Sequence, residues 1–321
     1  MLRCFSLPLL GLWAGFVAPQ AAAQSCSNSN FTGLYGSFDV LSGAAVDSTA
    51  TFTVNCSGSA FSTVRVCIEI GPGSNVDGSG NRVLASGANT LRHELYSNAG
   101  RTSIWGSWGS AIVPYTPSPA GITYDMGLNA QGVGSATLTV YGRVLALQRS
   151  ANSGTYVWSS ANSPGLRYGY VSAAACPTGA FFASTSGTSW TATVLSACQV
   201  SATSIDFGNT SSLTSTIDSA GAVTVTCTNG APYKIALSYG TGAGAGTGGR
   251  RYMKSGATQI EYNIYKDAAR TSIWGDSLGI NTNDSTGTSG NQTFTAYGRV
   301  LSQTTPTPGI YSDSIVVTVN Y

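Results

Sequence analysis

The sequence predicts an all-β protein of two tandem β-sandwich domains, and three observations carry that prediction. Short alternating runs such as Ala50-Thr-Phe-Thr-Val-Asn-Cys56 and Ala222-Val-Thr-Val-Thr-Cys227 are separated by Gly-rich turns, which is the pattern of half-buried strands. No segment of ten or more residues shows a helical period. Landmarks of the first half return in the same order in the second, so the chain is a duplication. Composition agrees. Charged residues are only 9% of the chain, while 16 Tyr, 6 Trp and 10 Phe supply material for cores, which argues against disorder. A net charge of +2 gives no nucleic-acid footprint.

The elements follow in chain order. Arg3, the apolar stretch Phe5 to Val17 and the small residues Ala21-Ala22-Ala23 read as a secretory leader over residues 1–23. That stretch is shorter than the roughly 20 apolar residues a membrane span needs. Cys4 lies inside the leader, and Cys26, Cys56, Cys67, Cys176, Cys198 and Cys227 remain. An even number of cysteines in an exported chain is expected to form a disulfide framework.

The duplication is explicit in Arg101-Thr-Ser-Ile-Trp-Gly106 and Arg270-Thr-Ser-Ile-Trp-Gly275, and in Tyr141-Gly-Arg-Val-Leu145 and Tyr297-Gly-Arg-Val-Leu301. Cys26 and Cys56 stand almost as far apart as Cys198 and Cys227. The shared register pairs Cys26 with Cys56 and Cys198 with Cys227, leaving Cys67 for Cys176. The junction falls just before Cys198, giving domains over 24–195 and 196–321. The run Tyr311-Ser-Asp-Ser-Ile-Val-Val-Thr-Val-Asn-Tyr321 is the closing strand.

Taken together, Cys198…Cys227, Tyr265-Lys-Asp-Ala-Ala-Arg270-Thr-Ser-Ile-Trp274-Gly, Tyr297-Gly-Arg-Val and Gly309-Ile-Tyr311-Ser-Asp313 closely resemble the spore coat protein U domain, the pilin module of archaic chaperone–usher pili. The first half resembles it more loosely, from Cys26 to about Tyr156. The resemblance implies immunoglobulin-like sandwiches, the second an incomplete pilin fold that takes a donor strand from a periplasmic chaperone and then from the adjacent subunit. Ile315, Val317 and Val319 would line the donor-strand groove. It further implies an outer-membrane usher and a position at the cell surface. With cleavage after Ala23, only Gln24 and Ser25 precede Cys26, too few to serve as a donor segment. That points to the pilus tip, as a tip adhesin serving attachment and biofilm formation on a host or abiotic surface. The alternatives are a structural minor pilin without receptor binding, and a secreted carbohydrate-binding protein.

The first domain carries apolar residues in stretches that the second lacks. Trp108, Ile112, Val113, Pro114, Tyr115, Ile122 and Tyr124 form one group, and Trp158, Leu166, Tyr168 and Tyr170 another. Set among Gly, Ser and Pro, they are expected to form exposed adhesive loops, since exposed apolar patches mark interaction sites. The alternative, that they pack the domain's own sheets, stays open at this point.

Catalysis finds little support. The one histidine, His93, falls in register with Tyr262 on a strand face. Glu69, Glu94 and Asp125 would have to converge to act as a carboxylate pair. No metal-ligand spacing remains once the cysteines are paired, and no cofactor is expected. Arg101 and Arg270 recur with Trp105 and Trp274, so a structural role is expected, through indole stacking or an ion pair with Asp267.

Overall fold

The computed structural model describes residues 23–73, 75–77, 81–107, 120–160, 165–170, 176, 182–185 and 187–321. The first half contains β1 (Ser25–Asn28), β2 (Phe31–Phe38), β3 (Val46–Ser57), β4 (Thr63–Glu69), β5 (Val83–Ser86) and β6 (Asn89–Tyr96). It continues with β7 (Ile122–Gly127), β8 (Val133–Val144), β9 (Gly154–Ser160), β10 (Gly165–Tyr170), β11 (Phe182–Thr185) and β12 (Thr188–Val194). The second half contains β13 (Cys198–Ala202), β14 (Ile217–Cys227), β15 (Pro232–Leu237) and β16 (Arg251–Ser255). It ends with β17 (Thr258–Tyr265), β18 (Asn283–Thr286), β19 (Gln292–Val300) and β20 (Val317–Asn320).

Each half is a sandwich of two sheets. In the first, one sheet runs β1-β3-β8-β6-β5-β9-β12-β2 and the other β11-β10-β4-β7. In the second, the sheets run β13-β14-β19-β17-β16 and β18-β15-β20. The alternation that predicted the strands also makes the cores. Phe52, Val54 and Cys56 of β3 point inward together, as do Val223, Val225 and Cys227 of β14. Each half has its own cluster, with Trp105, Trp158 and Trp190 in the first and Trp274 in the second. The described sheets and their separate cores are those of an all-β, two-domain protein.

The duplication is visible bond by bond. The disulfides are Cys26–Cys56, Cys67–Cys176 and Cys198–Cys227. The Trp105 indole N–H donates to the Ile68 carbonyl at 3.0 Å, and that of Trp274 to Ile235 at 2.8 Å. His93 lies opposite Val144 as Tyr262 lies opposite Val300. The repeated arginines do not stack on the repeated tryptophans. Arg101 lies over Tyr141 and pairs with Asp47, and Arg270 lies over Tyr297 and pairs with Asp218. Asp267 instead accepts from the backbone N–H groups of Thr271 and Ser272, holding the turn in which Arg270 takes a positive φ of 59°. The short carboxylate serves the turn because it can accept from two adjacent amides at once.

Candidate functional site

The two halves differ most in one strand. In the first, β12 inserts between β2 and β9, parallel to β2 and antiparallel to β9. Thr188, Trp190, Ala192 and Val194 turn inward and are buried, so β12 closes the sandwich with its own chain.

The second half keeps both neighbours of that strand but, among the described residues, has no strand between them. Its counterpart of β2 is the segment around Ile205 to Phe207, because Ser219 Oγ donates to the Asp206 carbonyl as Ser48 Oγ donates to that of Leu34. Its counterpart of β9 starts at Tyr311, whose hydroxyl donates to the Thr307 carbonyl at 2.7 Å, as Tyr156 donates to Asn152 at 2.8 Å. Between these edges lies a groove of about 440 Å³. Ile205, Phe207, Val223, Ile264, Ile315 and Val317 supply much of its apolar lining.

One side of the 311–317 segment is paired: Ser312 exchanges backbone hydrogen bonds with Lys254, and the Val316 carbonyl accepts from Ser238 N–H. Alternation turns the backbone groups of Asp313 and Ile315 the other way, toward the groove. Such an edge, beside an apolar trough, is a template for strand addition.

Asp313 brings a carboxylate into the groove. Its carboxylate accepts from the Tyr262 hydroxyl at 2.9 Å, from Thr241 N–H at 2.9 Å and from Thr241 Oγ1 at 3.1 Å. Burial and the adjoining carboxylate push the Tyr262 phenol far above its ordinary range, so it stays a donor at any working pH. Gly240, at φ +81°, is required there, since a Cβ would come within 1.9 Å of the Asp313 carboxylate.

Of the three residues expected to line a donor-strand groove, Ile315 and Val317 line this one. Val319 lies two residues on and packs against the core. Sequence reasoning missed Ile205, Phe207, Thr203 and Val223, the opposite wall. Aligning the halves from their first cysteines would have found them.

Several residues expected in exposed loops are core. Trp158 is 0% exposed on β9, and Leu166 and Tyr168 are 1% and 7% exposed on β10. They sit at inward positions of strands, where Thr155, Val157 and Ser159 of β9 face outward and Arg167 of β10 is partly exposed. Ile122 is half-buried against the same core, and Tyr124 is exposed, both on β7. Trp108, Ile112, Val113, Pro114 and Tyr115 fall outside the described residues, as does the Tyr170 side chain. An exposed aromatic that the sequence reading did not place in the adhesive loops is Phe61, at 80% exposure and φ +56° in the β3–β4 turn.

The three carboxylates considered for catalysis do not converge. Glu94 is buried against Arg82, Asp125 pairs with Arg65 at 2.8 Å, and Glu69 accepts from Ser107 at 3.0 Å.

No curated protein sequence matches the chain. Among solved structures, the chain is similar to one from the CsuC–CsuE chaperone–tip adhesion subunit pre-assembly complex of archaic chaperone–usher Csu pili of Acinetobacter baumannii. Identity is 18% over 92% of this chain and 100% of that one, at a TM-score of 0.52. A weaker likeness, at 10% identity and TM-score 0.37 over 93% of this chain and 94% of that one, is to the CupB6 tip adhesin from Pseudomonas aeruginosa. The family model of the Spore Coat Protein U domain matches residues 13–157 and again 184–318, most of each half, and the chain belongs to that family.

Proposed function

We propose that this protein is the tip adhesin of an archaic chaperone–usher pilus, exported through the periplasm and displayed at the cell surface. The observation that carries this reading is the groove between Ile205–Phe207 and Tyr311–Val317, at the place where the first half holds β12. A subunit with one closed and one open sandwich accepts a strand through its second half. A periplasmic chaperone fills the groove first, and the adjacent subunit fills it after passage through the outer-membrane usher. The first half is then free to meet a host or abiotic surface and to support biofilm formation.

Phe61 and Val133 support a contact surface at the end of the first half far from the junction. β3 starts at Val46, opposite Val144, and ends at Ser57, opposite Val133. The chain passes to the second half at the other end, where Leu195 N–H donates to the Phe38 carbonyl. Phe61, 80% exposed, sits on the adjoining distal turn, and Val133, 47% exposed, opens β8 beside it. Tyr124 and the apolar run from Trp108 to Tyr115 belong to the same proposal on sequence grounds.

The test is purification of the mature chain from periplasm with and without a co-expressed archaic pilus chaperone. A one-to-one complex, with aggregation or proteolysis in the chaperone's absence, is the expected result. A stable monomer that ignores the chaperone would overturn the acceptor reading. Pili that carry Phe61→Ser yet attach to plastic as well as the parent would overturn the role of the distal turn.

A further inference from the structure

We propose that the strand completing the second half carries a large apolar side chain opposite Ile315 and, two residues later, a small one opposite Asp313. This order of sizes is the reverse of what β12 supplies in the first half. The inference rests on reading the groove as a strand acceptor and adds which strand it accepts.

The first half shows what closure demands. Thr188 of β12 lies opposite Ser160 and beside Phe31, and Trp190 lies opposite Trp158 and beside Gly33. The small residue of β12 meets a large wall, because Phe31 stacks on Phe52 with ring centroids 5.3 Å apart. The large residue meets a bare wall. A Cβ on Gly33 would fall 2.2 Å from the Trp190 ring, and one on Gly142 would fall 2.4 Å from it.

The second half exchanges these sizes. Phe31 stands five residues after Cys26, and the residue five after Cys198 is Thr203. Phe52 stands four before Cys56, and the residue four before Cys227 is Val223. Val140, just ahead of Tyr141-Gly-Arg, becomes Ala296 ahead of Tyr297-Gly-Arg. All three smaller residues line the groove, beside Ile264, Ile315 and Val317. Together they remove about ten side-chain atoms from a wall that a close-packed interior must refill.

At the next inward position the wall on the 203–207 side changes the other way, while the smaller Asp313, in the place of Trp158, is met by the Tyr262 hydroxyl at 2.9 Å, in the place of His93. Gly33, seven after Cys26, becomes Ile205, seven after Cys198. Ile205 and Phe207 reach over Gly298, where a Cβ would meet them at 2.7 and 2.8 Å. Phe207 keeps the place of Tyr35, and Ile205 takes the space over the glycine that Trp190 fills in the first half. Tyr311 and Ile315 match Tyr156 and Ser160, so the incoming strand runs as β12 does, antiparallel to 311–317 and parallel to 205–207. A further consequence is exclusion of self. A β12 strand from another copy would bring Trp190 onto Ile205 and leave the space above Val223 unfilled, which works against insertion of like into like.

The test uses the full mature chain extended past Tyr321 by a short Gly/Ser turn and a strand, because a tight turn fixes the register of the added strand. One extension places Phe opposite Ile315 and Ala opposite Asp313, a second reverses the two, and a third carries Gly/Ser alone. Hydrogen exchange of the 311–317 amides, followed by mass spectrometry, is the readout. The Phe-first strand is expected to slow exchange at least tenfold relative to both others. Ile205→Gly should move that protection to the reversed strand. Equal or better protection by the reversed strand in the parent chain overturns the size order while leaving the acceptor reading intact. No protection by either strand overturns both.

Discussion

Arg82 is fully buried, and its guanidinium pairs with the buried carboxylate of Glu94. Replacing a buried ion pair by apolar residues of similar size is often neutral or even stabilising. Here the opposite is expected, because Arg82 also donates to three main-chain carbonyls, those of Gly71, Ile70 and Trp105. The double change Arg82→Met with Glu94→Leu removes both charges yet strands those three acceptors. Each buried acceptor left unsatisfied costs about 1–3 kcal/mol, so the variant should lose at least ~3 kcal/mol. For a unit the size of the first half this lowers the melting midpoint by roughly 6–12 °C. Trp105, Trp108, Trp158 and Trp190 lie in the first half against Trp274 alone in the second, so intrinsic fluorescence during a thermal or guanidinium scan reports the right half. Arg251 provides the internal control. It makes the same three bonds, to Ser238, Leu237 and Trp274, with Asn263 in place of the carboxylate. The carbonyls, then, are what the arginine serves in both halves. A double variant within about 1 kcal/mol of the parent would refute that account, because it would show the carbonyls finding water at a cost the structure does not imply.

Removing the Cys198–Cys227 bond by paired Ser substitution opens a loop of 29 residues and should cost about 3.6 kcal/mol in the chain-entropy model, read as a lower guanidinium midpoint for the second half. Hydrogen bonds from Arg143 and Arg299 hold the carboxyls of Asp47 and Asp218 below their usual range. Their contribution is present above the unfolded value near pH ~3.9 and is lost as pH falls through the lower folded value. Melting midpoints should drop below about pH 4, and Asp47→Asn with Asp218→Asn should flatten that drop. The effect is small, because exposed pairs of this kind are worth about 0–1 kcal/mol each. Asn229→Ala should loosen the junction, since Asn229 Nδ2 donates to Asn152 Oδ1 at 2.7 Å and to the Ser150 carbonyl at 3.2 Å. Small-angle scattering would register this as a broader distribution of interdomain distances, and an unchanged profile would mean the short connection alone sets the geometry.

The fold was legible because two periodicities were written into the sequence, the two-residue alternation of strands and the long repeat between the halves. Alternation gave inward faces directly, so Phe52, Val225 and their neighbours could be placed from the sequence. It failed for Trp158, Leu166 and Tyr168, where nearby Gly and Ser looked like loop composition although all three side chains are core. Arg82 and Arg251 were illegible for a different reason. An arginine in a strand reads as a surface residue, and only the converging carbonyls of Ile70 and Trp105, or Leu237 and Trp274, make it an interior one. The groove was half legible. Its Ile315–Val317 wall showed as an alternating terminal run, whereas the other wall showed only in how the halves differ.

That difference carries the functional argument furthest. After duplication, two copies of one sandwich face the same physical problem, an unpaired edge above an apolar trough. The first half meets it within the chain through β12, and Gly33 and Gly142 make room for Trp190. In the second half Ile205 and Phe207 cover Gly298, while Thr203, Val223 and Ala296 leave open the space beside Ile315 and Val317. Had the second half simply lost a strand by drift, its walls should still have the shape of β12. Instead Thr203, Val223 and Ala296 are smaller than their first-half counterparts, and Ile205 is larger than Gly33. On the acceptor reading, walls resized in this way call for an occupant other than the chain's own β12, and the residue sizes along 203–207 and 311–317 are the basis for predicting which one.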